Sequence, residues 1–114
     1  MPVPAHAVHA ATKGAVEAFS RVMALGSTIR SVRVNVIAPV LVRSDIYVSD
    51  GINQGDYDKL YDDLGKQYLM GRSGEPQDVA ELAAFLVSDK PSGMTGTVYP
   101  VDSGFQSVGN KPSL

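Results

Sequence analysis

The sequence predicts an α/β fold with two neighbouring parallel strands, and three observations lead to it. Helical and strand periodicities follow one another in the order helix, strand, helix, helix, strand. The segment Val32 to Ala38 is apolar almost throughout, the pattern of a strand covered on both faces, as in parallel sheets. A two-helix connection joins the strands, which implies a right-handed parallel crossover.

The first helix is expected over Ala7 to Leu25. Val8, Ala11, Ala15, Phe19, Val22 and Met23 recur at spacings of three and four and define one buried face. Lys13, Glu17 and Arg21 form a single charged stripe at i, i+4 and i+8. So narrow a polar stripe implies a helix covered on most sides, by its own core or by a second subunit. Gly26 is the expected stop, because glycine enters the left-handed cap conformation without strain. Val32 to Ala38 is the first strand, and Val40, Leu41 and Val42 follow soon after Pro39.

Gly51 to Asp56 reads as a loop. Tyr57, Leu60, Tyr61, Leu64 and Tyr68 then make a second helical stripe, and the three tyrosines read as packing at a half-buried face. Asp56, Asp58, Asp62 and Asp63 cluster around its early part, where carboxylates suit the helix dipole. The third helix has the clearest start: Pro76 fits the first helical position, and Val79, Leu82, Ala83 and Leu86 set the apolar face. Lys90 to Gly93 end it. Thr97 to Val101 is the second strand, closed by Asp102, Ser103 and Gly104. Two parallel strands alone leave an apolar edge bare, so the sequence asks for more sheet than it contains and reads as part of a larger domain.

Composition bounds the function. With 114 residues, 44% hydrophobic and 19% charged, the chain has the make-up of one soluble globular unit. A net charge of −2 with scattered Lys and Arg gives no basic stripe, so no nucleic-acid partner is expected. The absence of Cys excludes disulfides, thiolate metal sites and Cys nucleophiles. No apolar run approaches the ~20 residues of a membrane span, and Met1 to Ala11 does not look like a signal peptide. A soluble, cytoplasmic protein without a membrane partner is the expectation.

Four blocks then point to a family. Ala10-Ala11-Thr12-Lys13-Gly14-Ala15-Val16 resembles the helix of short-chain dehydrogenases/reductases that bears their Tyr-x-x-x-Lys motif. The similarity continues through Val32 to Pro39, resumes at Gly71-Arg72-Ser73-Gly74-Glu75-Pro76-Gln77-Asp78-Val79-Ala80, and ends with Thr95 to Gly104. The blocks stand in the family's order and spacing, from about His9 to Phe105. The resemblance implies that residues 1–114 are the C-terminal half of an incomplete NAD(P)-binding, Rossmann-like domain. They would supply the last two strands of a doubly wound parallel sheet. The family's Gly-rich turn, which holds the cofactor pyrophosphate, has no counterpart among the eleven glycines, and its catalytic Ser lies upstream of the Tyr in a segment not matched here.

In that family the Tyr is the general acid/base, and the Lys four residues later tunes it and binds the nicotinamide ribose. The resemblance carries the Lys role onto Lys13, as catalytic and cofactor-binding residue. The Tyr position is occupied by His9, which reads first as a substitution tolerated in a chain that no longer catalyses, although imidazole moves protons near neutral pH. His6 and His9 at i, i+3 make a poor metal site without a carboxylate beside them, and no metal is expected. Pro39-Val40-Leu41-Val42-Arg43-Ser44 resembles the family's Pro-Gly-x-x-x-Thr loop at the nicotinamide carboxamide. It makes Pro39, Val42 and Ser44 cofactor-binding candidates for NAD or NADP. Val40 stands where the family has Gly, which matters if that backbone needs positive φ. Asp45 to Met70 matches the variable, substrate-covering segment.

The expected function is the C-terminal segment of an NAD(P)-dependent oxidoreductase, transferring hydride between nicotinamide and a carbonyl/hydroxyl substrate, and inactive as this chain alone. Two alternatives are kept. One is a non-catalytic oligomerisation module, pairing through helix 7–25 and/or helix 77–87 with the last strand. The other is one half of a split enzyme.

Overall fold

A computed structural model of the chain describes residues 7–44, 51 and 53–105. The elements are α1 (Ala7–Ser27), β1 (Val36–Pro39), α2 (Gln54–Gly65), α3 (Pro76–Val87) and β2 (Val98–Val101), with a 3-10 turn at Thr28–Arg30 after α1. β1 and β2 are parallel partners in one two-stranded sheet, so the predicted α/β class and element order are observed. Val36 donates to the Thr97 carbonyl at 3.0 Å and Val40 to the Val101 carbonyl at 2.9 Å. Residues 97 and 101 therefore face β1, and Pro100, one residue out of phase, turns its missing N–H away from the ladder. The chain divides into two compact units, Met1–Val36 with Ser88–Tyr99, and Ile37–Val87 with Pro100–Leu114.

In the first unit α1 runs past the predicted stop at Gly26. The left-handed residue is Ser31 instead, with φ 55° and its N–H bonded to the Thr28 carbonyl. Two of the terminal carbonyls of α1 are satisfied without a glycine cap: the Thr28 hydroxyl donates to Ala24 at 3.0 Å, and the Val32 N–H to Ser27 at 3.2 Å. The predicted apolar stripe is present, but its burial is not. Ala24 alone is buried on α1, while Phe19 is 66% and Leu25 78% exposed. Ala24 lies beside Gly96 (φ +72°), where an added Cβ would sit at ordinary contact distance, 3.5 Å from the Ala24 Cβ.

β1 is shorter than predicted, because residues 33 to 35 spend their polar groups on turns and side chains. Val34 donates to the Thr95 hydroxyl at 3.0 Å and accepts from the Gly96 N–H at 2.7 Å. The Asn35 amide donates to the Met94 carbonyl at 2.8 Å, and Arg33 donates to the Ser88 carbonyl at 2.8 Å. Val36 to Ala38 are half-buried, not covered on both faces.

The second unit is built around aromatic side chains. Tyr57 and Tyr61 are 2% and 3% exposed with ring centroids 4.6 Å apart, and Tyr68 packs on Phe105 at 5.1 Å. The tyrosines are more buried than a half-buried face predicts, because Arg43 and Ser44 lie against the first two. α2 starts inside the predicted loop, since the Asn53 side chain accepts the Gly55 N–H at 2.7 Å and caps it there. It ends at Gly65, where a Cβ would meet the Ser73 nitrogen at 2.4 Å. α3 begins at Pro76 as predicted. Its start is fixed reciprocally: the Asp78 carboxylate accepts the Glu75 N–H at 2.8 Å, and the Asp78 N–H donates to the Glu75 carbonyl at 2.9 Å.

Candidate functional site

The candidate residues fall into two sets, one in each unit. His9 and Lys13 stand one turn apart on α1, so their side chains share a helical face, as the spacing predicts. Both are exposed. The His9 carbonyl accepts the Thr12 hydroxyl at 2.7 Å. His6 lies outside the described residues, as do residues 45–50 and 52 of the variable segment. Among the described residues no group of three or more His, Asp or Glu is arranged to hold a metal ion.

Pro39, Val42 and Ser44 come together on one strand-end segment. Val42 forms a parallel bridge with Gly74: the Arg43 N–H donates to the Gly74 carbonyl and the Gly74 N–H to the Leu41 carbonyl, both at 2.9 Å. In this pattern Val42's own N–H and C=O point to the side opposite Gly74. The bridge is close, for a Cβ on Gly74 would lie 3.0 Å from a Val42 methyl. A positive φ is found one residue after the Gly-to-Val position. Leu41 takes it, at 51°, and Val40 does not. Val40 therefore needs no glycine's freedom, and the conformational cost of about 1–2 kcal/mol sits on Leu41.

Three residues that sequence reasoning assigned only to packing or helix charge, Tyr57, Asp58 and Asp62, reach this segment. The Tyr57 hydroxyl donates to the Ser44 carbonyl and accepts the Ser44 N–H at 3.1 Å. A buried phenol needs such a partner, and that was the available signal. The Arg43 guanidinium pairs with Glu75 at 3.0 Å, with Asp58 at 3.4 Å and with Asp62, and lies 5.6 Å from the Tyr61 ring centroid. Its signal was a lone cation after an apolar run, with Asp58 and Asp62 at i, i+4 on the next helix.

Nearby charges are also paired. Arg72 and Asp78 meet at 2.9 Å. The hydrogen bond from Arg72, with a second from the Glu75 N–H, holds the Asp78 carboxyl below the usual carboxylate range, and raises Arg72 in turn. Burial, with the Asp102 carboxylate second, pushes the Tyr68 phenol up. A separate depression of about 460 Å³ in the first unit, lined by Thr28, Ser31, Arg33 and Asp89 among others, contains none of the candidate residues.

Helices linking parallel strands, with Pro39, Val42 and Ser44 at and beyond the carboxyl end of β1, make this an α/β protein of parallel strands, a class whose ligands bind beyond the carboxyl ends of the strands. Known proteins then fix the family. The family profile described as Enoyl-(Acyl carrier protein) reductase matches residues 1–106. The inactive 2-(S)-hydroxypropyl-CoM dehydrogenase 2 of Xanthobacter autotrophicus is 36% identical over 106 residues, covering 93% of this chain and 46% of that protein. A short chain dehydrogenase family protein from Francisella tularensis superposes with a TM-score of 0.78 at 30% identity, over 94% of this chain and 46% of its own. A small-chain dehydrogenase solved in complex with NADPH gives a TM-score of 0.72 at 35% identity, over 87% and 42%. The chain belongs to the short-chain dehydrogenase/reductase family. It spans less than half the length of these relatives.

Proposed function

We propose that this chain is the C-terminal segment of an NAD(P)-dependent oxidoreductase acting on a carbonyl/hydroxyl substrate, and that it does not turn over substrate by itself. The observation behind the second clause is His9, which occupies the turn before Lys13 where the family motif has Tyr. Bound nicotinamide supplies or accepts the hydride in such enzymes. For this chain the reading gives each residue a limited task. Lys13 would hold the ribose hydroxyls. Val42 would offer its outward N–H and C=O to the carboxamide, which has one complementary acceptor and donor group. Ser44 would add a hydroxyl, and Pro39 would shape the turn into the loop. His9 would bring a shorter side chain than Tyr, with no phenol oxygen. The solved NADPH complex of a relative supports the cofactor class, and the protein's setting is taken as soluble and cytoplasmic.

A fluorescence titration of the purified chain with NADH and NADPH, followed by a turnover assay, tests the reading. No saturable binding and no turnover is the expected result. Turnover by the chain alone would overturn the inactive reading, and saturable binding would show that the nucleotide site is more complete than proposed.

The exposed apolar side chains of α1 favour a second reading, an oligomerisation module. Val8, Phe19, Val22 and Leu25 are all mostly exposed in the single chain, and contiguous apolar surface of this kind marks interaction sites. Here the chain would pair through residues 7–25, or through 77–87 with the last strand. Light scattering across a concentration series distinguishes the two: a stable dimer or larger assembly supports the module, and a monomer at all concentrations removes it.

A further inference from the structure

We propose that Arg43 is a positioning residue that couples the variable segment to the cofactor-facing loop, so that α2 and the backbone at 41–44 become ordered together. The role assigned to that loop rests on the cofactor reading above; the coupling itself does not. Three separate stretches of chain meet at one guanidinium. Asp58 and Asp62 come from successive turns of α2, Glu75 comes from the residue preceding α3, and Arg43 itself sits between Val42 and Ser44. The planar fork engages one carboxylate through Nε and the others through its two terminal nitrogens, an arrangement a lysine point charge cannot reproduce. Its face also lies over Tyr61, the residue one turn after Tyr57.

The second link makes the coupling specific. Tyr57 and the Ser44 backbone exchange two hydrogen bonds, so α2 holds the main chain of the loop directly, not only its charge. On the other side the loop is fixed to Gly74 by the bridge at Val42. Arg43 closes this ring of contacts: loop to α2 through Tyr57, loop to residues 74 and 75 through Val42 and Arg43, and α2 to the loop again through Asp58 and Asp62. Losing the guanidinium removes the one cation that pairs with all three carboxylates; Lys66 and Arg72 stay close by, but their ion pairs are with Asp63 and Asp78. Like charges then push α2 off the loop, and the Ser44–Tyr57 bonds go with it. Exposed single ion pairs contribute little, but a cation shared by three carboxylates is a network.

Amide hydrogen exchange by NMR on the full chain tests this without cofactor. In Arg43→Gln, the Ser44 amide and the interior amides of α2 are expected to exchange faster together, by about tenfold, the size a small charge network sustains. The Val40 amide, bonded to Val101, and the amides of α1 should keep their rates. Arg43→Lys should fall between, because it restores charge without the fork. In the unmodified chain 1 M NaCl should move Ser44 and α2 in the same direction and leave Val40 alone. This salt series decides the matter by itself if the Gln variant fails to fold. Unchanged rates, or Ser44 and α2 moving independently, would overturn the coupling. The coupling is read by exchange without cofactor and the oxidoreductase reading by the titration and turnover assay above, so the two ideas fail in different experiments.

Discussion

Replacing Gly65 by Ala should destabilise the chain, although glycine-to-alanine changes in helices ordinarily do the opposite. Gly65 is the last residue of α2 and is buried. A Cβ at this position would lie 2.4 Å from the Ser73 nitrogen and 2.7 Å from the Arg72 carbonyl carbon. Both are main-chain atoms, and the neighbouring Gly74 is tied to Leu41 and Arg43 by two hydrogen bonds. The obstruction therefore cannot rotate away as a flexible side chain would. Alanine's advantage over glycine in a helix is about 1 kcal/mol. Overpacking costs about 1–3 kcal/mol, and contacts this short against backbone belong at or above the top of that range. The net expectation is a loss of about 2 kcal/mol.

Gly14 is the matched control. It sits inside α1 and a Cβ there meets nothing within 4 Å, so Gly14→Ala should gain about 0.5–1 kcal/mol. Urea unfolding followed by far-UV circular dichroism measures both against the parent chain, with similar m values required for the comparison. A Gly65→Ala chain as stable as its parent would refute the packing argument. A loss at Gly14 would mean that α1 is pressed against another chain at that point, which bears directly on the oligomer reading.

Three further outcomes are expected. Asn53→Ala removes the side-chain acceptor for the Gly55 N–H and should lower stability by about 1 kcal/mol in the same urea assay. Ser31→Gly should raise it by about 0.5–1 kcal/mol, because a non-glycine residue at φ 55° carries a steric cost that glycine avoids. Asp78 makes stability depend on acid: its folded carboxyl is held low by Arg72, so its contribution is present above the unfolded value of about 3.9 and disappears as pH falls through the folded one. Asp78→Asn should give a shallower loss of stability below pH 5 than the parent, and an unchanged slope would count against the ion pair.

What the sequence revealed depended on how local the physics was. The start of α3 was legible because Pro76 and Asp78 act within one turn of each other. His9 and Lys13 were legible as a pair because helical spacing alone puts them on one face. The end of α1 was not, because a Thr28 hydroxyl and a left-handed Ser31 do the work expected of Gly26. The start of β1 was lost to Thr95 and Met94, partners about sixty residues away whose side-chain and turn contacts no periodicity records. Tyr57 and Arg43 were hidden for the same reason. Tyr57 matched a helical stripe and Arg43 only followed an apolar run, and their roles exist only once residues 43–44 and 57–62 are side by side.

Restoring the missing phenol should not by itself restore turnover. His9→Tyr would put a Tyr one helical turn before Lys13, with Cβ atoms about 5–6 Å apart by helix geometry. Both positions are exposed. In water-like surroundings a lysine cation whose charge lay about 6 Å from a phenolate would stabilise it by about 0.7 kcal/mol, roughly half a pKa unit. At an effective dielectric of about 20, as in a covered site, the same cation contributes about 3 kcal/mol, roughly two units. The difference is that between a nearly ordinary tyrosine and one tuned towards the pH of the reaction. On this reasoning a Tyr–Lys pair here would be tuned only if something covered α1, and the exposed apolar residues along that helix are what a covering chain would meet. NADPH oxidation with carbonyl substrates, measured on the His9→Tyr chain alone, is expected to stay at background. Turnover above background would show that Tyr and Lys suffice on an open helix, and the dielectric argument would then be wrong.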